Sequence, residues 1–174
     1  MGPVGGTVKG LSFGDLPSSV GTVVTGVPFT LGEFEVEHFE KATWLDKAYP
    51  EDAPEFPPTL VEGFLLLSML DAALKLSVDG GDGGDGVESD MWGLNYGLDR
   101  VRFVSQVHRG DRVLSTYKVL EVKPKDLGYL VLRRCVFTVE GHDRPAMTAD
   151  WWSFVLPSGT VERGRREQPD QRVE

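Results

Sequence analysis

The 174-residue chain predicts a single α+β domain, on two observations: one long apolar helix early in the sequence, and four long alternating segments with clear punctuation after it. The composition agrees. With 40% hydrophobic residues, a chain of this size can bury a core without disulfides or a structural metal.

Taken in order, Met1 to Gly14 carries Gly2, Gly5, Gly6, Gly10 and Gly14 and few bulky apolar side chains, and reads as a flexible arm. A short strand is expected near Val20 to Pro28. Gly32 to Thr43 reads as an acidic helix anchored by Phe34 and Phe39, with Glu33, Glu35, Glu37 and Glu40 towards water. Pro50, Pro54, Pro57 and Pro58 then forbid a long helix or central strand, so Trp44 to Pro58 is expected to be an irregular loop. Leu60 to Ser77 is apolar on almost every side, which suits a buried central helix. The glycines and aspartates of residues 78–90 predict a flexible connection.

Strands follow at Leu98 to Val107, Asp111 to Val122, Tyr129 to Glu140 and Ala146 to Leu156. They are broken at His108-Arg109-Gly110, at Lys123 to Gly128 and at Gly141 to Pro145. Short, turn-like connections imply an antiparallel meander. A curved sheet wrapped around one long helix, an architecture of the hot-dog type, is the expected result. One folded unit, residues 15–156, is followed by a charged tail, 157–174, that is expected to be disordered.

Eighteen basic against 27 acidic residues give a formal charge of −9, which repels a phosphate backbone and excludes nucleic acid as the expected partner. One cysteine, Cys135, cannot form an internal bridge, and no leader or apolar run of about 18 residues is present. A soluble, cytoplasmic protein is expected. Cys135 itself reads as a small half-buried hydrophobe in a strand.

Motifs for common cofactors are missing. There is no GxSxG elbow and no GK[ST], and His38, His108 and His142 are too far apart for metal-ligand spacing. Gly81 to Gly86 matches GxGxxG, but it follows a helix and its aspartates would repel a pyrophosphate. No metal and no cofactor are expected.

The start of the central helix carries the chemistry. Thr59 to Glu62 has the form of a capping box, T-x-x-E, which gives Glu62 a structural reading. Beside it, Gly63 has no side chain, so a ligand carbonyl could approach the amides of Gly63 and Phe64 at the positive end of the helix, as in an oxyanion hole. Ser68, Asp71 and Lys75 share one stripe further along. Either that stripe meets water, with Asp71 and Lys75 as a surface pair, or it faces a cleft where Asp71 serves as base or nucleophile.

The strings LVEGFLLLSML, GLNYGLDRVRFVSQVHRGDRV and RPAMTADWWSFVLP resemble the MaoC-like dehydratases, hot-dog proteins that act on acyl thioesters. The resemblance spans most of residues 30–156, and Asn95 to Phe103 is its most specific part. It implies an acyl or polyketide substrate, carried on coenzyme A or an acyl carrier protein, and a homodimer whose sheets join edge to edge. The family's hydratases use an aspartate and a histidine from a D-x-N-P-x-H loop. Here the matching stretch, Ala42 to Pro50, has no histidine, and Asp46 lies near the aspartate position. The family's His-Gly is Glu62-Gly63. Many hot-dog thioesterases carry a catalytic Asp or Glu about two turns after the glycine, and Asp71 is similarly placed.

The expected activity is therefore that of a divergent dehydratase-like lyase or isomerase in which Asp46, Glu62 or Asp71 replaces the missing dyad. Two alternatives stand beside it: a thioester hydrolase using Asp71, and a binding or cyclisation-guiding protein that does not hydrate. Gly63, Phe64, Trp44, Asn95 and Tyr96 are the candidates for binding the substrate.

Overall fold

The computed structural model describes residues 12–48, 57, 59–78 and 90–159, the side chains of residues 75–78 excepted. The expected arm up to residue 11, the proline-rich stretch over 49–56, the connection over 79–89 and the tail from 160 lie outside the described residues.

Among the described residues, six strands form one antiparallel sheet: β1 (Val23–Thr25), β2 (Phe29–Thr30), β3 (Met91–Phe103), β4 (Arg112–Lys125), β5 (Gly128–Val139) and β6 (Met147–Pro157). Their spatial order is β1-β4-β5-β6-β3, and β2 also pairs with β4. Three α-helices accompany them among the described residues, α1 (Glu33–Thr43), the single turn α2 (Leu45–Ala48) and α3 (Gly63–Val78). This is the hot-dog fold, a sheet around one long apolar helix.

The order corrects the expected meander. β4, β5 and β6 do follow one another, but β3 pairs with β6 at the far edge instead of with β4. The reason lies in Val104 to Asp111, which passes the segments leading into α1 and α3 and shares hydrogen bonds with both. Val61 N–H donates to Val107 C=O at 2.8 Å, Arg109 N–H to Thr59 C=O at 2.6 Å and Gly110 N–H to Leu31 C=O at 2.9 Å. β3 also begins seven residues before the expected Leu98, because Gly93 and Gly97 hide the alternation of Trp92, Leu94 and Tyr96. At the other end of the hairpin, β4 runs through Pro124 to Lys125, and only Asp126-Leu127 turns. Proline is tolerated there because β1 and β2 pair only with residues up to Lys118, so the missing N–H falls on an open edge.

The core lies between α3 and the concave face of the sheet. Val61, Leu65, Leu66, Leu70 and Ala73 pack on Val113, Tyr117, Cys135, Phe137, Met147, Ala149 and Trp151. Each leucine so buried contributes about 1.5–3 kcal/mol. The Tyr117 hydroxyl donates to Leu70 C=O at 2.9 Å, pinning the middle of the helix to the middle of the sheet. Cys135 is fully buried, more deeply than the alternation suggests, and burial pushes its thiol up to about 12.

Three local expectations change. Val36, not Phe34, anchors α1; Phe34 is 67% exposed and Phe39 only partly buried. The residues after α1 are not wholly irregular, since Trp44 closes the helix in the left-handed region (φ 61°) and α2 follows. Phe13 and Gly14, expected in the arm, lie in a 3-10 helix, Phe13–Ser19, that covers a second small core of Leu16, Val119, Val131 and Val155. Phe13 N–H is held by the Asp90 carboxylate at 3.0 Å. Among the described residues, no helix is long and apolar enough to cross a membrane.

Candidate functional site

A cavity of about 420 Å³ opens between α3 and β3. Phe64, Leu67, Ser68, Leu70 and Asp71 line it from the helix, Asn95, Tyr96, Gly97 and Leu98 from β3, and Trp151 from β6. Helical spacing brings Phe64, Leu67, Ser68 and Asp71 onto one face. The strand side depends on a bulge: Asn95 pairs with Ser153 and Gly97 with Trp152, leaving Tyr96 as an extra residue. Without that insertion, strict alternation would put Asn95 and Leu98 on opposite faces; with it, both border the cavity.

Of the site residues expected from sequence, the structure brings Asp71, Phe64, Asn95 and Tyr96 together. It leaves Asp46, Glu62, Gly63 and Trp44 outside. Asp46 is exposed on α2 and Trp44 is 72% exposed. The stripe of Ser68 and Asp71 meets the cavity, while the side chain of Lys75 lies outside the described residues.

The tip of α3 is not arranged as expected. Thr59 does not cap the helix, because α3 starts at Gly63 and Leu66 N–H donates to Glu62 C=O at 3.0 Å. Thr59 Oγ1 pairs instead with His108 Nδ1 at 2.9 Å. The missing side chain at Gly63 makes room for Phe103, since a Cβ there would sit 2.9 Å from that ring. Phe103 therefore packs against the Cα of Gly63, and Gly63 itself is not among the residues that line the cavity.

Glu62 belongs to a separate charged cluster. Its Oε2 is buried without a hydrogen-bond partner, and burial raises its carboxyl above the usual range, with the neighbouring Glu40 adding to the rise. Arg109 opposes this but also pairs with Glu33 of α1. Glu40, expected to face water, is half-buried here.

Against Trp151, one of the lining residues, lies a residue that sequence reading passed over. Arg133 shares the concave face with Cys135 and Phe137, opposite Trp151. Its Nη1 donates to Ser153 Oγ at 3.0 Å and its guanidinium lies 5.7 Å from the centre of the Trp151 ring. Burial lowers its pKa, while the negative charge of Asp71 acts in the opposite direction. The signal was present in Leu132-Arg133-Arg134-Cys135, since the residue two before a buried cysteine on a strand shares its face. Arg134 points to the other face and makes a two-pronged pair with Asp150 at 2.8 and 2.9 Å. No histidine lines the cavity, and no group of metal-ligating side chains occurs among the described residues.

Over 153 residues the chain is 33% identical to nodulation protein N of Rhizobium leguminosarum bv. viciae, covering 83% of this chain and 91% of that protein. It belongs to the nodulation protein N family. No protein-family model matches it. Among solved structures, the monoamine oxidase regulatory protein from Archaeoglobus fulgius superposes with a TM-score of 0.60 at 19% identity, over 87% of this chain and 97% of that one. A MaoC-like dehydratase from Rhodospirillum rubrum gives 0.59 at 12% identity, over 85% and 98%. These likenesses establish for this nodulation protein N family member the hot-dog fold that its sequence implied.

Proposed function

We propose that this protein acts on an acyl chain, delivered as a thioester on coenzyme A or a carrier protein, as a dehydratase-like lyase or isomerase in which Asp71 moves the proton. One observation carries the reading. Asp71 is the one carboxylate among the described residues that line an otherwise largely apolar cavity. Such a carboxylate can take a proton from the carbon beside a thioester carbonyl, leaving the electron pair on the enolate. Returning that proton to a carbon further along the chain shifts the double bond. Giving it instead to a departing β-hydroxyl releases water. Either outcome needs one carboxylate and no histidine.

A homodimer is part of the proposal. β3 pairs with β6 alone among the described residues, so its other edge is open over thirteen residues. Trp92, Leu94, Tyr96, Leu98 and Phe103 are exposed along it, with Phe64 beside them. A second copy pairing through β3 would cover this row and close the cavity mouth.

Asp71 is also half-buried, within reach of water, which favours thioester hydrolysis as a second reading. The test incubates saturated, 2-enoyl and 3-hydroxyacyl CoA thioesters of several lengths in D2O. Deuterium appearing beside the carbonyl, double-bond migration or water loss, all abolished in Asp71→Asn, is the expected result. Release of free thiol without these changes would establish hydrolysis instead. Turnover undiminished in Asp71→Asn would remove this residue from either mechanism.

A further inference from the structure

Gly63 is not among the residues that line the cavity, so a thioester carbonyl held there calls for a hydrogen-bond donor from the cavity wall itself. Asn95 is a polar side chain in that wall. Its Oδ1 accepts from Trp151 Nε1–H at 3.0 Å. An indole nitrogen can only donate, so the carboxamide cannot be turned round, and its NH2 group is directed away from Trp151. Trp151 itself is only 4% exposed. The Arg133 guanidinium lies against its ring, and Arg133 is tied in turn to Ser153, which pairs in register with Asn95. A chain of side-chain contacts thus runs from Asn95 through Trp151 and Arg133 to Ser153, whose backbone pairs with that of Asn95. The bulge at Tyr96 sets Asn95 into the wall of that cavity, on the strand side, with Asp71 on the helix side.

We propose that the Asn95 carboxamide donates the hydrogen bond that binds and polarises the substrate's thioester carbonyl, across the cavity from Asp71, with Trp151 as its positioning residue. The inference rests on the acyl-thioester reading above. In the proton transfer described there, the carbonyl oxygen gains negative charge as the bond to the α-hydrogen breaks. A donor already aimed at that oxygen stabilises the enolate without reorganising. Asn95 exchanges no proton and forms no covalent bond.

The probe is an acyl-CoA analogue with a methylene inserted between sulfur and a 13C-labelled carbonyl, which binds but cannot be cleaved. Its carbonyl stretch, read by isotope-edited infrared spectroscopy, is expected to fall on binding to the wild type and equally in Asp71→Asn. Asn95→Ala and Asn95→Asp should bind it without that fall, and should lower turnover by about 10²–10³-fold. Trp151→Phe keeps most of the ring but loses the indole N–H. It should give an intermediate shift, and it serves as the test if the Asn95 variants do not fold. An unchanged shift in folded Asn95→Ala and in Trp151→Phe overturns the assignment while leaving the acyl reading intact. Failure of the wild type to bind any chain length overturns both.

Discussion

At the scale of single residues, Glu62 and Asp150 respond to pH with opposite sign. Burial raises the Glu62 carboxyl above its ordinary value of 4.5, so the folded protein holds that proton more tightly than the unfolded chain does. The stability this contributes is fully present below the unfolded value and is lost as pH rises through the folded one. Replacement of Glu62 by Gln, neutral throughout, is therefore expected to raise the melting temperature relative to wild type at pH 8 and to lose that advantage near pH 4. Equal differences at both pH values would contradict the burial argument. Asp150 behaves in reverse: the hydrogen bonds from Arg134 hold its carboxyl below the ordinary 3.8, so its contribution persists above that value and falls away in stronger acid. Glycines give a second residue-level expectation. A Cβ on Gly26 would meet Ser115 Oγ at 2.2 Å and Ala73 C=O at 2.9 Å, where β1 gives way to β2 against α3. Gly26→Ala should destabilise by at least the 1–3 kcal/mol usual for an overpacked core, roughly, as read by urea unfolding.

The elements explain why part of the site was legible in the sequence and part was not. Asp71 could be found because its position on α3 follows from helical spacing alone. Phe64 could be found because it stands next to a glycine at the start of the same helix. The cavity's other wall, of which Asn95 and Tyr96 were expected, depends on β3, whose glycines blurred its alternation and whose bulge brings Asn95 and Leu98 onto one face. No periodicity in one strand announces which residue its partner will leave unpaired. The position of α3 over the sheet is also set by cross-element contacts, among them the hydrogen bond from Tyr117 to Leu70. Tyr117→Phe removes only that hydroxyl. It is expected to cost about 1 kcal/mol, which in a domain of this size lowers the melting temperature by about 2–4 °C. No change would mean that apolar packing alone seats the helix.

For the whole molecule, the open edge of β3 is the feature with the widest consequence. Leu94 is 49% exposed on that edge and does not line the cavity. Leu94→Lys should leave the fold intact by circular dichroism and shift the mass seen by light scattering from dimer towards monomer. A wild type that is monomeric at high concentration would remove the proposed closure of the cavity mouth by a second copy. Local patterning by itself determined an α+β domain of one long helix and several long strands, because an apolar run suited to one helix and alternating runs suited to strands specify their elements without outside help. It determined Asp71 as a candidate for the same reason. Only the tertiary structure decided that β3 lies beside β6, that Phe103 fills the space next to Gly63, and that Asn95 is held by Trp151 with Arg133 behind it. Those relations join residues from β3, β5, β6 and the tip of α3. Each depends on side-chain volume and on where donors and acceptors meet once the layers have packed, which no window along a single segment records.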